Sequence, residues 1–270
     1  MPEPHDIALP TPHMIARIEG AIGWMIFNNP ARRNAVKAEM WDAIPTIMDH
    51  FEADPAVRVI VLRGAGEAAF VAGADISEFE QRRASPDQVA TYEAASDEAA
   101  RRITNSAKPS IAMIRGWCIG GGVGLALDCD LRIAAEGAKF GVPATRLGLG
   151  YGPKGVKRLM DLVGPAHVKE IFFTARHFSA AEALAMGLVN RVTPEADLET
   201  YVRSYCGLIA ENAPLTMQAV KRTVDELSNT SPDADLAECD RLVQICFDSA
   251  DYVEGRRAFM EKRRPVFQGR

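Results

Sequence analysis

Three short, uninterrupted apolar runs constrain this chain most: VRVIVLRG (Val57–Gly64), SIAMIRG (Ser110–Gly116) and LRIAA (Leu131–Ala135). A strand with apolar side chains on both faces must be covered on both, and such strands belong to parallel sheets flanked by helices. Helical segments lie between the runs, around residues 86 to 106 and 121 to 129. Strand and helix thus alternate through roughly the first half of the chain, which argues for an α/β arrangement.

Ahead of the first run, IARIEGAIGWMIFNN (Ile15–Asn29) reads as two short strands around a turn at Glu19-Gly20. From Asn34, read as an N-cap, the apolar positions Val36, Met40, Ile44, Ile47, Met48 and Phe51 step by three and four. That spacing predicts an amphipathic helix, which Pro45 should kink. Ser179-Ala-Ala-Glu182 is a capping box opening a helix that Gly187 can close. Beyond Pro194 no strand is expected, and residues 197 to 262 show helical spacing, as in Met217, Val220, Val224 and Leu227. The expected division is a core over residues 1–195 and a helical C-terminal region over 196–270.

Composition excludes several classes. With 270 residues, 47% hydrophobic and 25% charged, the chain is of the ordinary globular type. A net charge of −5 supplies no global cationic field for nucleic acid or an anionic membrane, so neither is expected as a partner. No apolar window reaches membrane-span length, and MPEPHDIALPTPHM lacks the pattern of a signal peptide, so a cytoplasmic protein is expected. Cys118, Cys129, Cys206, Cys239 and Cys246 are an odd, scattered set without a CxxC pair, and His5, His13, His50, His167 and His177 lack ligand spacing. No metal site is expected.

Two stretches carry candidate chemistry. In Phe70-Val-Ala-Gly-Ala-Asp75-Ile a strand end runs into small residues, with Gly73 supplying an unusual φ and Asp75 capping a helix from about Ile76. In Gly116-Trp-Cys-Ile-Gly-Gly-Gly-Val-Gly124-Leu-Ala-Leu-Asp128-Cys-Asp130 a strand passes through three consecutive glycines into a helix. Such glycines are kept where backbone must come close to something, and a helix N-terminus offers unpaired N–H donors to an anion or a polarised carbonyl. GGGVGLAL is neither GxGxxG nor a P-loop, which argues against a dinucleotide or nucleotide site and against a nicotinamide oxidoreductase.

FVAGADISEF, GWCIGGGVGLALDCDLRIAAEGAKFGVPATRLGLG and FTARHFSAAEALAMGLVNRV, in that order, resemble the crotonase superfamily, the enoyl-CoA hydratase and isomerase group. The resemblance runs from Ile15 to about Phe267. It implies an α/β crotonase-like fold of repeated ββα turns with a helical C-terminal region, assembled as a homotrimer or homohexamer. It also implies an acyl-CoA substrate bound without any further cofactor, coenzyme A being part of that substrate. Two backbone N–H groups, falling here on Ala74 and Gly121, would form an oxyanion hole for the thioester carbonyl. Ala72 would lie against the adenine, Arg32 and Arg33 would face coenzyme A, and Phe259 and Lys262 would reach a neighbouring subunit's coenzyme A. A solvated basic face is the other reading of these charges.

The resemblance also implies two catalytic glutamates, and this chain has Gly124 and Ala144 in their places. Neither residue can move a proton, so ordinary syn hydration is disfavoured. Tyr151 lies where the superfamily's methylmalonyl-CoA decarboxylases carry a pocket tyrosine; a buried aromatic is its other reading. Asp128, one turn beyond Gly124, is either a base with a raised pKa or the partner of an arginine such as Arg146. Asp130 is expected to be structural, Glu78 and Glu80 solvated, and Trp117 and Cys118 core. Three functions follow: an enolate-stabilising hydratase or isomerase relative, a malonyl-type decarboxylase, or an acyl-CoA binder without turnover.

Overall fold

A computed structural model describes residues 3–78, 85–228 and 234–270. The apolar runs form the centre of a seven-stranded sheet. Its strands are β1 (His5–Ile7), β2 (Met14–Glu19), β3 (Ile22–Phe27), β4 (Val59–Gly64), β6 (Ser110–Ile114), β8 (Leu131–Ala135) and β11 (Arg191–Thr193), hydrogen-bonded in that order. β1 to β3 run antiparallel, as the expected hairpin requires, and from β3 onward every pairing is parallel. A four-stranded sheet holds β5 (Ala69–Val71), β7 (Trp117–Ile119), β9 (Lys139–Gly141) and β10 (Phe178–Ser179), in the order β10-β9-β7-β5.

The helices are α1 (Ala38–Ala53), α2 (Pro86–Thr104), α3 (Gly121–Asp128), α4 (Pro153–Thr174, broken at Gly164), α5 (Ala180–Ala185), α6 (Leu198–Ala210), α7 (Pro214–Ser228), α8 (Leu236–Asp248) and α9 (Ala250–Glu261). A large-sheet strand, a small-sheet strand and a helix recur as β4-β5-α2, β6-β7-α3 and β8-β9-α4. This is the ββα repetition expected from the resemblance.

The central strands β4, β6 and β8 are largely apolar because both faces are covered. On β4, Ile60 and Leu62 enter the core under the helices, while Val59 and Val61 join a second cluster with Leu198, Val202 and Cys206 of α6. β6 alternates likewise, with Ala112 and Ile114 on one side and Ile111 and Met113 on the other. The Ser179–Glu182 capping box is present, and Gly187 takes a φ of +83° beyond α5.

Two expectations need correction. α1 starts at Ala38. Asn34 has a φ of +56° and, instead of capping, donates from Nδ2 to the carbonyls of Ala65 (3.0 Å) and Ala69 (2.8 Å), fastening its loop to the end of β4. Pro45 lies inside the helix, as its spacing implied. The second concerns Glu78, expected at the solvated surface: its Oε2 accepts the N–H of Ala38 at 2.9 Å and caps α1 from outside. Glu80 lies outside the described residues. The helical spacing beyond residue 197 holds, but Val220, Val224 and Leu227 of α7 are exposed in the single chain.

Candidate active site

The two stretches meet because β5 and β7 are parallel neighbours, with Val71 opposite Cys118. Ala74 and Gly121 each follow this pair by three residues. Gly73 at φ +94° and Gly120 at φ +55° turn the chain out of each strand, a left-handed excursion that an L side chain resists. The Ala74 nitrogen lies 3.8 Å from the position of a Cβ on Gly121, and the Gly121 nitrogen 3.9 Å from that position on Gly73. Gly122 is held to glycine by packing, since a Cβ there would stand 2.0 Å from the Val71 carbonyl oxygen.

Neighbouring amides are committed within the fold. Ala72 donates to Arg33 (3.1 Å), Asp75 to Val36 (2.9 Å) and Gly120 to Gly141 (2.8 Å), while the Gly73 carbonyl accepts from Val36 (2.8 Å). The N–H groups of Ala74 and Gly121 donate to no acceptor among the described residues. Gly121 opens α3, so its N–H is one of the donors that a helix start leaves over and lies at the positive end of the helix dipole. Burial pushes the Asp75 carboxyl up, but the Ser77 hydroxyl and N–H, with the charges of Arg32 and Lys37, bring it below the usual carboxylate range.

Arg32 and Arg33 are exposed at the mouth of this loop, and the half-buried Ala72 is tied to Arg33 by its amide. Trp117, expected in the core, is half-buried, with the Arg33 guanidinium 5.6 Å from its ring centroid, while Cys118 is fully buried. Phe259, 83% exposed, and Lys262, at the end of α9, make no hydrogen bond or ring contact with this loop. The single chain therefore groups Arg32, Arg33, Ala72, Ala74 and Gly121 and leaves those two apart.

Further along α3, a Cβ added to Gly124 would meet nothing within 4 Å, whereas Ala144 is buried. Asp128 is 7% exposed and ion-paired with Arg158 of α4 rather than with Arg146, which is exposed and forms no ion pair among the described residues. Burial pushes the Asp128 carboxyl up to about 6, against the pull of Arg158 and with a smaller push from Asp97. Tyr151 packs edge-on against Phe172 at 4.9 Å. Its phenol is pushed up by burial and further by the Asp128 charge, although the ring as a whole stays 37% exposed. Asp130 is structural, as expected: Oδ2 accepts the N–H and hydroxyl of Ser110 (2.7 and 3.0 Å) and pairs with Lys221 at 2.9 Å. Sequence reasoning missed Arg158, because no periodicity joins positions 128 and 158 across two elements.

This ββα spiral, with two backbone turns converging at the ends of paired strands, is the crotonase fold. The model of the family described as Enoyl-CoA hydratase/isomerase matches residues 17–270, and the chain belongs to that family. It is 33% identical to the short-chain-enoyl-CoA hydratase of Clostridium acetobutylicum, over 93% of this chain and 96% of that one. It is 34% identical to the crotonyl-CoA hydratase of Syntrophomonas wolfei, over 94% and 97%. The crystal structure of an enoyl-CoA hydratase/carnithine racemase from Magnetospirillum magneticum matches with a TM-score of 0.90 at 35% identity, covering 97% of each chain.

Proposed function

We propose that this chain is an acyl-CoA enzyme that stabilises a thioester enolate between the amides of Ala74 and Gly121, and that its reaction is decarboxylation of a malonyl-type thioester. One observation carries the reading: the two adjoining amides are left unclaimed by a fold that uses the amides around them. Preorganised backbone donors stabilise oxygen charge without reorganising during reaction.

Decarboxylation fits the side chains that are missing. When the bond from the α carbon to the carboxylate breaks, carbon dioxide leaves and the electron pair enters the enolate, so no base has to remove a proton. Gly124 and Ala144 are then no handicap. The α carbon still needs a proton, which the Tyr151 phenol supplies and regains from solvent. Arg32, Arg33 and Ala72 hold coenzyme A, with Phe259 and Lys262 reaching it from a neighbouring copy in a homotrimer or homohexamer.

The test is purified protein on crotonyl-CoA, methylmalonyl-CoA and ethylmalonyl-CoA, with products followed by mass spectrometry. The expected result is carbon dioxide release from a malonyl thioester and negligible hydration of crotonyl-CoA. Crotonyl-CoA turnover at ordinary hydratase rates overturns the reading. Micromolar binding without product across the panel makes the chain an acyl-CoA binder instead.

A further inference from the structure

Gly121, Gly124 and Asp128 share one face of α3, since helix positions three, four and seven apart lie above one another. Gly121 and Gly124 are only half-buried, and the space over Gly124 is open. The strip begins at the Gly121 amide and reaches Asp128 roughly 10 Å further on, at about 1.5 Å per residue. Its far end is polar: the buried Asp128 carboxylate and the Arg158 guanidinium.

A guanidinium has five N–H donors in a rigid fork. Among the described residues, Arg158 commits only Nη1, to Asp128 Oδ1, and its side chain remains 38% exposed. An ion pair withdrawn from water carries a desolvation cost that apolar residues of the same volume would avoid. An alkyl chain ending there would cover the remaining donors and satisfy none. An oxygen ending there would accept from them.

We propose that Arg158, held in place by Asp128, selects acyl groups that carry a hydrogen-bond-accepting oxygen roughly four to six carbons beyond the thioester carbonyl. The inference rests on the carbonyl lying at Ala74 and Gly121. A hydrogen bond to a charged donor is worth about 1.5 to 3 kcal/mol, or roughly a 10- to 100-fold preference.

Calorimetric titration with coenzyme A, hexanoyl-CoA, 6-hydroxyhexanoyl-CoA and adipoyl-CoA tests it. The wild-type chain should bind at least one oxygen-bearing thioester at least tenfold more tightly than hexanoyl-CoA. Adipoyl-CoA binding best identifies a carboxylate terminus, and the hydroxy compound binding best identifies a neutral one. The double variant Asp128→Leu/Arg158→Met, which leaves no unpaired buried charge, should bring the ratio to about one. Hexanoyl-CoA binding as well as both others in the wild type, or a ratio that survives the double variant, overturns the inference. The wild-type panel decides even where the variant does not fold. Acyl chains adding nothing to coenzyme A affinity would sink the oxyanion reading as well, whereas tight but indiscriminate hexanoyl-CoA binding sinks this inference alone.

Discussion

Replacing Gly121 by proline removes the N–H donor and sets the ring's Cδ on that nitrogen in its place. Gly121 is the first residue of α3, where proline's fixed φ suits the helix and its missing N–H breaks no intrahelical bond. Beyond its own chain neighbours and the backbone of its helix, an added Cβ would come no closer than 3.8 Å to another atom, so a side chain has room on that carbon. Gly121→Ala has the same room and keeps the donor, which makes it the control. Loss of one preorganised donor to an oxyanion costs about 3 kcal/mol, on the order of 100-fold. Acetoacetyl-CoA offers a readout independent of the reaction catalysed, because its enolate has its own ultraviolet band. Wild type and Gly121→Ala should lower the pH at which bound acetoacetyl-CoA forms its enolate, and Gly121→Pro should abolish most of that effect while still binding coenzyme A. A folded Gly121→Pro protein with an unchanged enolate band would refute the assignment.

Other substitutions probe the same region. Gly122→Ala forces a Cβ to 2.0 Å from the Val71 carbonyl oxygen and should cost at least about 3 kcal/mol, read from urea unfolding. Gly124→Glu meets open space in the first turn of α3; it should leave stability unchanged or raise it by about 1 kcal/mol, and a lowered melting temperature would show the space is filled. Tyr151→Phe should lower kcat for decarboxylation by roughly 10²- to 10⁴-fold with KM little changed, and equal turnover would exclude the phenol as proton donor. Asp128 keeps its proton up to about pH 6 when folded but only to near 3.8 when unfolded. The folded state therefore binds the extra proton between those values, and this group's contribution to stability falls as pH rises through that window, by on the order of 3 kcal/mol in all. Asp128→Asn should flatten that part of the stability profile, and an unchanged slope would count against the burial of the carboxyl.

What could be read from the sequence was set by local pattern. β4, β6 and β8 declare themselves because each must be apolar on both faces, and the Ser179–Glu182 box because its hydrogen bonds lie within four residues. What failed was non-local. Asn34 has the chemistry of a cap, but it spends that chemistry on Ala65 and Ala69, more than thirty positions away. Glu78 caps a helix forty residues before it, and Arg158 reaches Asp128 across thirty residues. The glycine turns were legible as places of close approach, but only the pairing of β5 with β7 sets them side by side.

That pairing has a consequence for how such a protein can change. Both candidate donors are main-chain atoms hung at matching positions from one ladder, so their separation is inherited from strand spacing, and no ordinary mutation except one to proline can delete either. Acids and bases on side chains nearby can come and go by single substitutions. A lineage built this way can exchange its side chains while the pair of main-chain N–H groups persists untouched.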